Sequence, residues 1–204
     1  MTAMTGFRLS AAGPAQRAGV RARARALVLA VLGAAGLGSA ALCHAQASVS
    51  EFDVKAALVF NFARYVEWPE RAFASREAPL VLCVMGRDRF GTAFTALDGR
   101  KLQGRALKVR VGVTPEDSTG CHVAFVGDAT ERQVQLALRA VAGQPVLTVG
   151  DSEGFIDSGG AIGIVQGEQR LQFEVSRTAL DQAQLKASSQ LLKLARAVLG
   201  RGPE

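Results

Sequence analysis

The sequence predicts an α/β fold: a single domain with a mixed, mostly parallel sheet flanked by helices in a three-layer α/β/α arrangement, closed by C-terminal helices. Three observations predict it. Helical and strand-like stretches alternate along most of the chain, the pattern of a parallel sheet with crossover helices. LVLCVMG and CHVAFVG are continuously apolar rather than alternating, as strands covered on both faces are. Ala161–Val165 and Arg170–Val175 flank Gln166-Gly167-Glu168-Gln169, a hairpin signal that adds an antiparallel edge.

The first 45 residues read as a leader rather than as part of this fold. Arg17, Arg21, Arg23 and Arg25 make a positive segment, Ala26–Leu42 is apolar, and Cys43-His44-Ala45 supplies small residues for cleavage before Gln46. The domains are therefore 1–45, a signal peptide, and 46–204, one α/β domain. An uncleaved anchor is the alternative, but the apolar run is short for a span and holds Gly33, Gly36 and Gly38. The whole chain has 24 Lys and Arg against 18 Asp and Glu. Five of those arginines, and no acid, precede Ala45, which leaves 19 basic and 18 acidic residues. The mature domain is near neutral, so its charge points to no nucleic acid and no anionic membrane.

Within the domain, Glu51–Val66 reads as a helix, with Phe52, Ala56, Val59, Phe62, Ala63 and Val66 at helical spacing and Pro69 as its stop. Leu80–Met85 is a strand and Asp88–Leu97 a short helix. Ala106–Val113 alternates as a half-buried strand. Cys121–Val126 is a buried strand, and Thr130–Ala142 a helix ended by Gly143. Pro145–Val149 is a strand, followed by the glycine-rich loop 151–160 and the hairpin. Leu180–Lys186 and Leu191–Leu199 read as helices separated at Ser188-Ser189, with Gly200 closing the second.

The chemistry of an enzyme is thin. Gly150-Asp151-Ser152-Glu153-Gly154 matches a nucleophile elbow, yet no histidine follows Ser152, so the triad has no base. One histidine, His122, beside one cysteine is no metal set. Cys83 and Cys121 are too far apart for a Cys-x-x-Cys redox pair. The reading is no catalytic residue, no metal and no cofactor. With Cys43 in the leader, Cys83 and Cys121 are an even pair in an exported domain and form a disulfide; two buried thiols are the plainer alternative.

The remaining features concern binding. Arg100, Lys101, Arg105, Lys108 and Arg110 make a basic cluster, either a solvated edge or a patch on which Arg100, Lys101 and Arg105 contact an anion. Tyr65 and Trp68 are the chain's only Tyr and Trp, either core packing or contact anchors. Leu191, Leu194, Ala195 and Val198 form one face of the expected last helix, leaving Leu192 and Leu199 over. Two apolar faces suggest a homodimer through this helix or the Val54–Val66 helix.

VKAALVFNFARYVEWP, LVLCVMGRDRFG, VLTVGDSEGFIDSGGAIGIV and LQFEVSRTALDQAQLKASSQLLKLARAV occur in this order. Together they resemble the YfiR-like family of bacterial periplasmic proteins across nearly all of the mature chain. The resemblance implies a dimeric, non-catalytic periplasmic protein that represses an inner-membrane diguanylate cyclase through its periplasmic region. It also implies that an outer-membrane lipoprotein can sequester it. Cys83 and Cys121 match the family's core cysteine pair, while a second pair found in some members is missing. The rival reading is a periplasmic protein that binds a small anion, and ligand-dependent thermal stabilisation would favour it.

Overall fold

The computed structural model describes residues 50–86 and 91–200. The expected signal peptide, and the expected helix start at Asp88, lie outside the described residues.

Helix α1 (Glu51–Arg64) starts where Ser50 accepts from the Asp53 amide at 3.1 Å, with Glu51 and Asp53 in the first turn facing the positive end of the helix dipole. It ends before the expected Val66. Its end is held from outside the helix: Gln103 Nε2 donates to Ala63 O in the last turn at 2.9 Å and to Val66 O just beyond it at 2.6 Å. The chain then extends as β1 (Val66–Glu67), which pairs antiparallel with β9 (Lys186–Ala187). Gln103 itself occupies a two-residue hairpin turn with Gly104, both at positive φ, between β3 (Lys101–Leu102) and β4 (Arg105–Val111).

Among the described residues the main sheet has eight strands in the order β10-β8-β7-β6-β5-β2-β4-β3. Its centre is parallel: β2 (Leu80–Gly86) lies between β4 and β5 (Val123–Gly127), followed by β6 (Leu147–Gly150) and β7 (Ile162–Gln166). Antiparallel pairing of β7 with β8 (Leu171–Ser176) makes the sheet mixed, as the hairpin signal implies. The remaining helices are α2 (Gly91–Thr95), α3 (Glu131–Ala140), α4 (Arg177–Gln182) and α5 (Ser189–Leu194).

Continuous apolarity in β2 and β5 has a direct cause, because each side of the sheet carries its own core. Leu80, Leu82, Val84, Val123, Phe125, Leu147 and Val149 pack with Ala56, Val59 and Phe62 of α1 and with Phe94. Cys83, Met85, Ala124 and Val126 pack on the opposite side with Val134 and Ala137 of α3. The layers are therefore helix, sheet, helix. Cys83 and Cys121 form a disulfide in this second core, with Cα atoms 5.8 Å apart.

The C-terminal segment differs from expectation. Helix α5 stops at Leu194, Ala195 is extended, and Ala197–Leu199 form β10, parallel to β8. The Arg196 amide donates to Phe173 O at 2.8 Å, so pairing with the edge of β8 overrides the helical spacing of the apolar residues. The two-faced helix expected over Leu191–Leu199 does not exist. Leu191 is buried and Leu192 half-buried, while Leu194 is 70 % exposed. Val198 and Leu199 are exposed on an edge strand. The preceding helix also ends earlier than expected, at Gln182, and Lys186 lies in β9.

Candidate functional site

The strap from Tyr65 to Phe73 crosses the end of the sheet where β2 and β5 begin. Its register is fixed at both sides. Tyr65 O accepts from the Ser188 amide at 2.8 Å, and Val66 pairs with Ala187. Further along, Trp68 Nε1 donates to His122 O at 3.2 Å, and Phe73 stacks on the His122 ring at 4.5 Å with the planes 12° apart. Tyr65 and Trp68 are both half-buried, so each is anchored to the domain and keeps a solvent-facing portion. Both pack against the main core and both reach the surface.

His122 is 8 % exposed and is held at both ring nitrogens. Nδ1 accepts from the Val81 amide at 3.1 Å, which leaves the proton on Nε2, directed at Ala72 O at 2.9 Å. Burial lowers the imidazole below its ordinary value near 6.5; the Ala72 carbonyl opposes that, and the charge of Arg105 adds to it. The ring is a neutral strut between strap and sheet.

Beside β1 and β9 lies an apolar cleft of about 460 Å³. Leu180, Leu185, Ala187 and Leu192 line it, with Arg177, Asp181 and Lys186 around them. Of the contact candidates, Tyr65 and Leu192 are brought close through Ser188, whose amide donates to Tyr65 O while its own carbonyl accepts from the Leu192 amide at 3.2 Å. Leu191 points into the core, and Leu199 stands apart on β10.

The anion candidates do not converge. Arg100 lies over the Phe60 ring at 4.7 Å, and Lys101 is exposed at the start of β3. Arg105 lies 3.7 Å from the centroid of Phe73 and donates to Ser75 O at 2.9 Å and Ala78 O at 2.7 Å. Its guanidinium braces the strap.

A second cleft of about 440 Å³ sits beyond the carboxyl ends of β5 and β6, where ligands of open α/β sheets commonly bind. Lys55, Asp151, Asp128, Ser152 and Glu153 border it. Lys55 Nζ is 2.7 Å from both Glu51 and Asp151, so Asp151 joins α1 to the sheet across 96 positions. Burial alone would lower the Lys55 ammonium's pKa, but hydrogen bonds and charges from Asp151 and Glu51 outweigh it and raise it. Asp151 also accepts from the Asp128 amide at 2.9 Å. Sequence spacing holds no signal for this pair. Ser152, the residue of the elbow-like motif, donates to Ala129 O at 2.9 Å. The glycines of this stretch are there for packing: a Cβ at Gly150 or at Gly160 would enter the ring of buried Phe155. Among the described residues no group of His, Cys, Asp and Glu could hold a metal, and no helix is long and apolar enough to cross a membrane.

Comparison with known proteins gives a family and distant likenesses among solved structures. Residues 52–196 match the family described as YfiR/HmsC-like. A conserved domain protein from Vibrio cholerae O1 biovar El Tor is similar at 9 % identity and a TM-score of 0.47, over 74 % of this chain and 60 % of that one. The ABC domain of a Streptococcus pneumoniae protein, solved in complex with L-Trp, is similar at 6 % identity and a TM-score of 0.44, over 69 % and 60 %. The chain thus spans less than two thirds of either solved chain, and likeness at this level carries no ligand or function across.

Proposed function

This chain belongs to the YfiR/HmsC-like family, and from that membership we propose that it is a non-enzymatic periplasmic regulator. In this reading residues 1–45 are a signal peptide, and residues 46–204 act in the periplasm. The domain binds the periplasmic sensor region of an inner-membrane signalling protein, a diguanylate cyclase, and represses it, lowering cyclic di-GMP and biofilm formation. It works as a homodimer, and an outer-membrane lipoprotein is its second partner.

The observation that carries the reading is the family match across residues 52–196, almost the whole described domain. The surface around β1 and β9 supports it. A half-buried Tyr65 and Trp68 and the apolar cleft at Leu180, Leu185 and Leu192 form the kind of anchored, partly apolar surface that protein contacts use. The anion-binding alternative gains nothing from Arg105, whose guanidinium is already engaged with two carbonyls and a ring.

Crosslinking in intact cells tests the reading. A diguanylate cyclase of the inner membrane captured by the exported protein supports it, and capture of soluble proteins alone rejects it.

A further inference from the structure

The strap and the sheet meet at one histidine whose two ring bonds depend on its neutral form. Neutral His122 accepts from the Val81 amide through Nδ1 and donates through Nε2 to Ala72 O. Its main chain carries the sheet in parallel: the His122 amide donates to Val81 O at 2.8 Å, and His122 O accepts from Leu147 N and from Trp68 Nε1. A second proton has one place to go, Nδ1, and there it meets the Val81 N–H donor head on. Nε2–H can still reach Ala72 O in the imidazolium, but Nδ1–H and the Val81 N–H then face each other, which drives the charged ring out of the position that stacks Phe73.

Charged groups around the ring do not rescue the cation. From β4, Arg105 faces it through Phe73, and its field acts on the ring with the same sign. Lys108, also on β4, is exposed, and Arg110 donates to Asp117 O and Thr119 O. The strap's own charged residues Glu70 and Arg71 are exposed, as is Glu67, and so are Glu116 and Asp117 on the turn before Cys121. From β2 the neighbour is Val81 and from β6 it is Leu147, and neither titrates. No carboxylate forms an ion pair with His122 among the described residues.

We propose that the Tyr65–Phe73 strap is an acid-operated latch: protonating His122 turns its ring out from beneath Phe73, frees Ala72 and Phe73, opens the half-buried Trp68 on the same strap to water and remodels the surface offered to a partner. The last clause rests on the reading of that surface as the partner contact; the latch itself does not. The proton balance is simple. One proton is taken from the medium, one Val81 N–H···Nδ1 bond and one Nε2–H···O bond are lost, and the Cys83–Cys121 disulfide and the backbone ladder between Val81 and His122 stay in place.

Trp68 is the chain's only tryptophan, so intrinsic fluorescence reads the latch directly. With the purified exported protein taken from about pH 8 to about pH 4.5, below the histidine range, Trp68 emission should move to longer wavelength with a midpoint below 6.5 while far-ultraviolet circular dichroism stays constant. His122→Asn keeps an acceptor for the Val81 amide and cannot titrate, so its emission should not move. If that variant does not fold, the ring nitrogen resonances of wild-type His122 must titrate with the same midpoint as Trp68 emission. Constant Trp68 emission in folded wild type, a retained shift in His122→Asn, or mismatched midpoints each overturns the latch. Failure to capture a membrane cyclase at neutral pH, with the emission shift intact, would instead reject the proposed function and leave the latch standing.

Discussion

The indole Nε1 of Trp68 donates to the main-chain carbonyl of His122, 54 positions away, at 3.2 Å. That one bond links the end of the first helix to the start of the central strand β5. It lies one residue from Cys121, whose disulfide reaches β2 on the second core. The strap, the disulfide and the sheet end are thus one joint, and Lys55 with Asp151 makes a second joint between α1 and the opposite end of the sheet.

Removing the disulfide should be costly without destroying the fold. The bridge closes 38 positions, worth about 4 kcal/mol of unfolded-state entropy in the chain model. A Cys83→Ser/Cys121→Ser variant should melt roughly 10 °C lower, at about 2–4 °C per kcal/mol for a domain of this size. Calorimetry of the oxidised and variant proteins measures it. Two titratable thiols in freshly exported wild type would show that the bridge does not form in the cell.

Breaking the second joint should cost a similar amount. The side chains of Lys55 and Asp151 are only 11 % and 7 % exposed. Lys55→Met leaves the Asp151 carboxylate buried without its ammonium partner, a loss of about 3 kcal/mol. Denaturant unfolding should show this at neutral pH. The Lys55 pKa is raised in the folded state, so its contribution is full below the unfolded value near 10.5 and disappears as pH rises through the higher folded value. Wild type should therefore lose stability in strong alkali, and Lys55→Met should lose less. Equal stability of the two at neutral pH would show that the pair contributes nothing.

The histidine has the opposite sign. Its folded pKa is lowered, so the unfolded chain binds the proton more tightly, and stability is full above 6.5 and falls as pH drops below it. The melting temperature should accordingly fall from neutral to mildly acidic pH in wild type and fall less in His122→Asn.

A homodimer, if the chain forms one, uses separate surfaces rather than one two-faced helix. Leu192 lines a cleft on α5, whereas Leu199 stands on edge strand β10. If the homodimer uses the cleft, Leu192→Glu should halve the mass found by light scattering at micromolar concentration. If it uses the free edge of β10, Val198→Lys should do so instead. A monomer mass for wild type would end the proposal of a dimer.

The core was legible because each signal was local. LVLCVMG announces a strand buried on both faces, and Leu80, Leu82 and Val84 do face one core while Cys83 and Met85 face the other. Thr130, three residues before Gln133, announces a helix start and forms a full capping box. What stayed hidden was non-local. Leu191, Leu194, Ala195 and Val198 have helical spacing, and only pairing with β8 makes the last of them a strand residue. Gln103 holds a helix end 40 positions away, and Asp151 meets Lys55 across 96. The sequence shows His122 only as a strand residue beside a cysteine; its two ring bonds, to Val81 and Ala72, depend on a strap that no periodicity marks.

The most direct test of the regulatory role places a photo-crosslinking amino acid at Trp68 in the exported protein, in living cells. A periplasmic repressor should capture an inner-membrane diguanylate cyclase through its periplasmic region, and deleting its gene should raise cyclic di-GMP. Crosslinks confined to soluble proteins, with cyclic di-GMP unchanged by the deletion in cells that make the cyclase, would contradict that role.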